Sequence, residues 1–325
     1  MQVQAFAPNH LGDVVLALPA LRRLADQADL HVVAPDPLAE LLEGQGDWTV
    51  GAPRRGGDAV LLAPSLRVAL RARLARCRRI VGEPTDARRL LLTHVVPRGM
   101  DLPPVRGPRL LPRRHQGDSY LAVVDFALRE WGAAPSSRVD RALRLDEPAV
   151  RGGQVAYEAL GRPTHLVHPC AGGRIVKAGD LDIWAARAGA RIATGARVAV
   201  TGGPSARDHD RASALARALG VPHAAGPEAI ALPAWAALAR RVGRVVAPDT
   251  GVAHLASAAG AAVTVLFGPT DPRRHRPLGP GPVTVLDGGH GRSCAPCYGT
   301  SCSEGPTAEC MRARVVLQVT DEEVA

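Results

Sequence analysis

The stretch Val245 to Asp271, VVAPDTGVAHLASAAGAAVTVLFGPTD, decides the fold class. It packs an apolar strand, a polar loop, a helix of small residues, a second apolar strand and a second polar loop into one unit. Pro248 stops the first run, Asp249 and Thr250 are residue types that cap helices, and Gly251 lets backbone come close to a ligand. The helix is predicted to start at about Val252, with free N–H groups and a positive dipole end that suit a diphosphate. His254, one turn in, adds a donor there. Ala253, Ala256, Ser257, Ala258, Ala259 and Gly260 carry almost no bulk, so this helix can lie close against a sheet. Taken singly, Asp249 and Thr250 read as plain caps and His254 as a satisfied surface histidine. Two polar loops at neighbouring strand ends point instead to a ligand site, because ligands of open parallel sheets collect at carboxyl ends.

Around this unit the composition sets bounds. A chain of 325 residues is long enough for two ordinary domains. Hydrophobic residues make up 46% but aromatics only 3%, so the interior must be built from Ala, Val and Leu on helices and parallel strands. That predicts an α/β protein. The first residues, MQVQAFAPNHLGDVVLALPAL, lack a basic leader and are interrupted by Asn9, His10 and Asp13, which argues against a signal peptide or membrane span and predicts a cytoplasmic protein. The formal charge of +9 points to an anionic partner: nucleic acid, an anionic membrane face or phosphorylated substrates. No nucleic-acid-binding motif is present and aromatics are too few for base stacking, so nucleic acid is not expected. Arginine clusters at 71–79 and 106–114 also read as plain solvated faces.

Against that arginine background Lys177 is the only lysine of the chain. Either it is a survivor of drift or the position needs a compact ammonium, as a phosphate contact does. Its place decides for the second reading, because it follows the Gly-rich loop His168-Pro169-Cys170-Ala171-Gly172-Gly173 after a strand at 165–167.

Along the chain, strands are predicted at 3–7, 30–34, 59–63, 79–82 and 90–95, and helices at 14–24, 37–43, 66–75 and 118–131. Residues 98–113 read as proline-rich and irregular, and 134–146 as weakly structured. The pattern restarts with strands at 165–168, 197–201, 244–247 and 263–267 and helices at 181–189, 206–219 and 229–241. The boundary is expected between Glu147 and Pro163, giving a first domain 1–147, a linker 148–162 and a second domain 163–325. Two such halves suggest a cleft with Asp13 of the first facing Lys177 and Asp249 of the second.

Five pieces stand in order: Leu11-Gly12-Asp13-Val14 with Leu18-Pro19-Ala20-Leu21; His168-Pro169 with Lys177; Thr201-Gly202-Gly203-Pro204; Asp249-Thr250-Gly251-Val252-Ala253-His254; and Phe267-Gly268-Pro269-Thr270-Asp271-Pro272. With the cysteine-rich tail from Cys294 to Met311 they resemble glycosyltransferase family 9, the heptosyltransferases that add ADP-activated heptose to the lipopolysaccharide inner core. The resemblance covers nearly the whole chain. It implies a GT-B fold of two Rossmann-like domains and an inverting, metal-independent reaction without a cofactor. The acceptor, an anionic glycolipid or glycan, would bind mainly to the N-terminal domain, and the ADP-heptose-like donor to the C-terminal one. Asp13 then maps to the catalytic base, with N-capping of the following helix as its plain alternative. Lys177, Gly202, Gly203, Asp249, Thr250, Gly251 and His254 map to the nucleotide-sugar site. A basic surface would suit peripheral contact with the inner membrane.

Two departures bear on the donor. Family members usually carry Glu shortly after the Gly-Gly-Pro turn, implicated in holding the ribose; here the place reads Ser205-Ala206-Arg207-Asp208, leaving Asp208 or Asp210 for the role. The Trp-Pro that commonly follows the lysine is replaced by Ala178-Gly179-Asp180. A sibling enzyme with another nucleotide sugar or acceptor therefore stays open, as does a nucleotide-sugar-binding protein without activity. Cys294, Cys297, Cys302 and Cys310 fit either a structural zinc or thiols packing a loop, and neither version is catalytic. Cys77 and Cys170 read as ordinary small residues.

Overall fold

The computed structural model describes residues 1–85, 87–97, 114–172, 175–305, 308–312 and 316–317, so the irregular stretch expected at 98–113 lies outside the described residues. The chain divides into two compact units, Met1–Arg141 and Ala142–Ala325.

The first unit runs β1 (Gln2–Phe6), α1 (Leu11–Ala25), β2 (Asp29–Val33), α2 (Asp36–Leu42), β3 (Trp48–Val50), β4 (Asp58–Leu61), α3 (Leu66–Leu74), β5 (Ile80–Gly82), a 3-10 turn (Arg88–Leu91), β6 (His94–Val95) and α4 (Gln116–Glu130). Its strands are parallel, in the order β3-β2-β1-β4-β5-β6. Strands β1, β2, β4 and β5 are buried on both faces, as a sheet covered by helices on both sides requires, with Gln4, His31 and Asp58 as buried polar residues among them. Phe6, Leu61 and Ile80 are fully buried there with Val33, Val68 and Leu92.

The second unit runs α5 (Glu147–Ala159), β7 (His165–Val167), α6 (Ile175–Ala178), α7 (Leu181–Ile192), β8 (Val198–Thr201), α8 (Ala206–Leu219), β9 (His223–Ala224), a 3-10 turn (Gly226–Glu228), α9 (Leu232–Val242), β10 (Arg244–Pro248), α10 (Gly251–Ala258), β11 (Ala262–Phe267), α11 (Pro272–His275), β12 (Val283–Asp287), α12 (Glu309–Arg312) and β13 (Val316–Leu317). The order β9-β8-β7-β10-β11-β12 repeats that of the first unit, with β13 added antiparallel at the edge. Both sheets thus have the doubly wound dinucleotide-type order, which reverses between β1 and β4 in one and between β7 and β10 in the other. Trp184 fills the second core with Val198, Val200, Leu215 and Met311.

Two expectations need correcting, and a third, the stretch 134–146 without helix or strand, has a physical reason for its order. Helix α1 begins at Leu11, three residues early, because His10 is extended and its carbonyl accepts the Val14 N–H at 2.9 Å. Asp13 is therefore inside the first turn, where an acid suits the helix dipole, and does not cap it. The weakly structured 134–141 is pinned to α1 by two buried arginines. Arg22 reaches the Asp140 carboxylate at 3.3 Å, and Arg23 reaches the Asp125 carboxylate at 2.7 Å and the Arg138 carbonyl at 3.3 Å. The expected linker 148–162 is largely helix: Asp146 caps α5 by accepting the Ala149 N–H at 2.9 Å, and Pro148 sits in its first turn.

Helix α5 packs on α9 through small residues. A methyl on Gly153 would stand 2.7 Å from the Ala237 Cβ and 2.8 Å from the Leu238 nitrogen, so the absence of a side chain there is what lets the two helices touch. Gly153→Ala should lower stability: overpacking of about 1–3 kcal/mol outweighs a helix-propensity gain of about 1 kcal/mol. Gly189 in α7 meets nothing within 4 Å, so Gly189→Ala should raise stability by up to about 1 kcal/mol. Urea denaturation of both variants checks the pair, and equal shifts of one sign would refute the packing account.

Candidate functional site

In the second unit the sequence-predicted residues gather at the carboxyl ends of β7, β10 and β11, beside the point where the strand order reverses. This is where an open α/β sheet leaves a crevice. The site is built on the Asp249 carboxylate, which is 5% exposed. Its Oδ2 accepts the Lys177 Nζ at 2.6 Å and the Thr270 hydroxyl at 2.6 Å. The His254 Nε2 stands 3.9 Å from Oδ1. The Lys177 ammonium also donates to the Asp249 carbonyl at 3.2 Å. Burial alone would raise the Asp249 pKa, but His254 and Lys177 outweigh it and hold the carboxyl well below the usual range.

Two details leave capacity for a ligand. An ammonium has three N–H donors, and Asp249 engages two of them. The His254 Nδ1 is buried without a hydrogen-bond partner among the described residues. Helix α10 starts at Gly251; its N-cap, Thr250, makes no side-chain capping bond and instead donates its hydroxyl to the Pro248 carbonyl at 3.3 Å. The expected cap by Asp249 or Thr250 side chains is thus not made: the Asp249 carboxylate turns to lysine.

The glycines of the Thr201-Gly202-Gly203-Pro204 turn are accounted for by packing. A methyl on Gly202 would lie 2.8 Å from the Ala225 Cβ and 3.0 Å from the Asp208 carbonyl, and one on Gly203 would lie 2.6 Å from the Asp208 carboxylate. Asp208 itself is tied to the N-cap of α8, its carboxylate accepting the Ser205 hydroxyl at 2.8 Å while its N–H donates to the Ser205 Oγ at 3.2 Å. Asp210 is exposed.

Arg211 gave no signal in the sequence, being one arginine among many. Its Nε donates to the Pro169 carbonyl at 2.8 Å and its Nη2 to the carbonyls of Ala178 and Gly179. It thereby ties the start of the loop after β7 to the end of α6, on either side of Lys177. Trp184 adds a bond from Nε1 to the Ala178 carbonyl at 2.6 Å. Cys170 beside this loop is buried and its thiol is pushed up to about 12, first by burial and then by Asp208, which makes it an inert small residue.

Asp13 belongs to the first unit. It is half-buried in the first turn of α1, and its carboxylate makes no hydrogen bond or ion pair among the described residues. In the tail, burial first and then Cys297, Cys302 and Cys294 push the Cys310 thiol up to about 11, and the Gly299 N–H reaches the Cys297 sulfur at 3.4 Å. Among the described residues no group of three or more His, Cys, Asp or Glu side chains is arranged to hold a metal ion.

Residues 125–308 match the family Glycosyltransferase family 9 (heptosyltransferase). No curated protein matches the sequence. Among solved structures, the glycosyl transferase family 9 protein from Veillonella parvula DSM 2008 is similar with a TM-score of 0.69 at 18% identity, covering 88% of this chain and 85% of that one. The E. coli ADP-heptose lps heptosyltransferase II gives 0.68 at 20% identity, over 88% and 90%. The E. coli heptosyltransferase WaaC with ADP gives 0.66 at 16% identity, over 89% and 94%. At these identities the likeness is one of fold, and it is the GT-B fold expected from the sequence.

The site carries a pH signature through His168. Its Nδ1 lies 3.1 Å from the Thr201 hydroxyl and its ring stands edge-on to Trp235. Burial pushes its pKa down to about 4, against a smaller opposite pull from Asp208. As pH falls from about 6.5 to about 4 the unfolded chain binds a proton that the folded chain refuses, so folding stability falls by about 3 kcal/mol across that window. The Asp249 contribution persists through it and is lost only below the ordinary carboxylate value. His168→Asn should remove the His168 component, so urea midpoints of wild type and variant converge on acidification. Parallel curves would remove His168 as the cause.

Proposed function

The chain belongs to glycosyltransferase family 9, and from that membership we propose that it transfers heptose, or a related sugar, from an ADP-activated donor to a lipopolysaccharide inner-core or similar glycan acceptor. The observation that carries the donor half is the Lys177–Asp249–Thr270 cluster at the strand ends of the second sheet. Buried Asp249 holds the lone lysine in place, and the third N–H of its ammonium is left for a phosphate oxygen. The two E. coli relatives, one with ADP and the other an ADP-heptose enzyme, support an adenine nucleotide by likeness of fold.

In this reading Asp13 takes the proton of an acceptor hydroxyl as its oxygen bonds to the anomeric carbon. The bond from that carbon to the diphosphate oxygen breaks in the same displacement, the configuration inverts, and ADP departs with the electron pair. Charge growing on the diphosphate meets Lys177, His254 and the N–H groups at the start of α10. Lys177 and the N-terminus of α10 supply positive charge from the chain itself, which supports a metal-independent reading. Asp13 suits the base because no other described group engages its carboxylate.

One observation favours a second reading, in which the enzyme uses another nucleotide sugar or another acceptor. Of the two carboxylates left to replace the family's ribose-holding Glu, Asp208 has its carboxylate taken up by Ser205 and Asp210 is exposed. The ribose would then be held differently.

Titration calorimetry with ADP, UDP and GDP separates the readings. ADP should bind; Lys177→Ala should weaken it at least tenfold, about 1.4 kcal/mol. Asp13→Asn should bind ADP like wild type but lose about 10²–10⁴ in turnover with ADP-heptose. Preference for UDP or GDP moves the function to the second reading. Wild-type turnover in Asp13→Asn removes Asp13 as base, and no nucleotide binding at all removes the proposal.

A further inference from the structure

Helix α3 of the first unit buries Val68, Ala69 and Ala72 against the sheet and leaves the other side to solvent. That outer side is not the usual polar face. Leu66, Leu70 and Leu74, spaced by one turn each, are 46%, 48% and 73% exposed. The adjoining 3-10 turn adds Leu90, 89% exposed. Arg73 fixes the turn to the helix by donating Nε to the Leu91 carbonyl at 2.8 Å. Four of the chain's exposed large apolar side chains thus share one ridge, where single scattered ones would be unremarkable.

Around the ridge stand Arg67, Arg71, Arg76, Arg78 and Arg89, all exposed, with no ion pair among the described residues. Helix α3 itself holds no acidic residue. The buried Asp58 nearby is committed to Arg79 at 2.6 Å. An apolar stripe fringed by free guanidinium groups matches a surface that is apolar in depth and negative at its rim. A second copy docked face to face would set arginines against arginines, so self-association is opposed. No helix among the described residues is long and apolar enough to cross a membrane, so the contact would lie in the interface plane.

We propose that α3 and the 88–91 turn form a docking surface for an anionic lipid bilayer, with the four leucines entering the headgroup–acyl boundary and the arginines meeting lipid phosphates. The proposal gives a surface to the peripheral membrane contact that the family resemblance implies, and its test is separate from the transferase reading, since lipid binding is measured without any sugar donor. The test is co-sedimentation of the full chain with vesicles of phosphatidylcholine containing about one quarter phosphatidylglycerol, against pure phosphatidylcholine. Binding is expected only to the anionic vesicles, and should be largely lost near 0.5 M salt, roughly where screening shortens the range of charge interactions.

Leu70→Ser, Leu74→Ser and Leu90→Ser combined should weaken binding about tenfold or more, because exposed leucines are the apolar anchor. Arg71→Glu with Arg89→Glu should do the same while leaving every leucine in place. All five positions are exposed, and unchanged urea midpoints verify that the variants fold. Failure of wild type to bind anionic vesicles, equal binding to both vesicle types, or wild-type binding by both variants would each overturn the proposal. So would lipid-free dimerisation abolished by the leucine variant, which would make the ridge a contact between copies.

Discussion

A carboxylate removed from water must keep its charge compensated, and the second unit is organised around meeting that demand for Asp249. Stripping an ion of water costs several kcal/mol unless partners replace the lost hydration. Here the partners come from separate crossovers: Lys177 from the segment after β7, His254 from α10 and Thr270 from the loop after β11. Three stretches remote in sequence are held to one anion, so the strand-end crevice is shaped before any ligand arrives. The demand also explains why lysine persists in an arginine-rich chain. A compact ammonium can bridge the Asp249 carboxylate and carbonyl and still present a donor, whereas a planar fork would fit that corner poorly.

The two sheets share one strand order, and with it one address for function. Asp13 follows the first strand of its sheet as Lys177 follows the first strand of its own. Each residue therefore sits next to a reversal point, where diverging crossovers leave backbone uncovered. The polar residues near these points divide into two groups. Asp249, Lys177 and Thr270 form the charged cluster, whereas His168, Thr201 and Trp235 form a buried network beneath it that is neutral at physiological pH.

What the sequence disclosed follows from which forces are local. Strand–helix alternation, the small-residue α10 and the isolated lysine are written in contiguous residues, and the structure has them within a few positions. The misreadings arise where a distant partner overrides a local signal. The stretch 148–162 reads as a linker in isolation, but Gly152 and Gly153 let it form α5 and seat on Ala234 and Ala237. The 134–141 segment reads correctly as irregular, but what holds it, Arg22 and Arg23 more than a hundred residues earlier, cannot be read locally. The short strands β3 and β9 carry too few residues for periodicity to register, and neighbouring strands define them, while the strand expected at 90–95 is cut to His94–Val95 by the 3-10 turn before it. Asp249 and Thr250 were typical capping residues whose side chains found better partners, and Arg211 was invisible because its role depends on where three carbonyls converge.

The solitary lysine has a chemical corollary. Apart from the terminal amine, the chain presents one primary amino group, and it lies within the proposed phosphate site. An electrophile that acylates amines has therefore one side-chain target, inside the proposed site. The modified side chain would lose its charge, and Asp249 would be left as an ion in a dry pocket without its main counter-charge. For most proteins such reagents report on a diffuse surface; here labelling beyond the terminal amine would report on that one side chain.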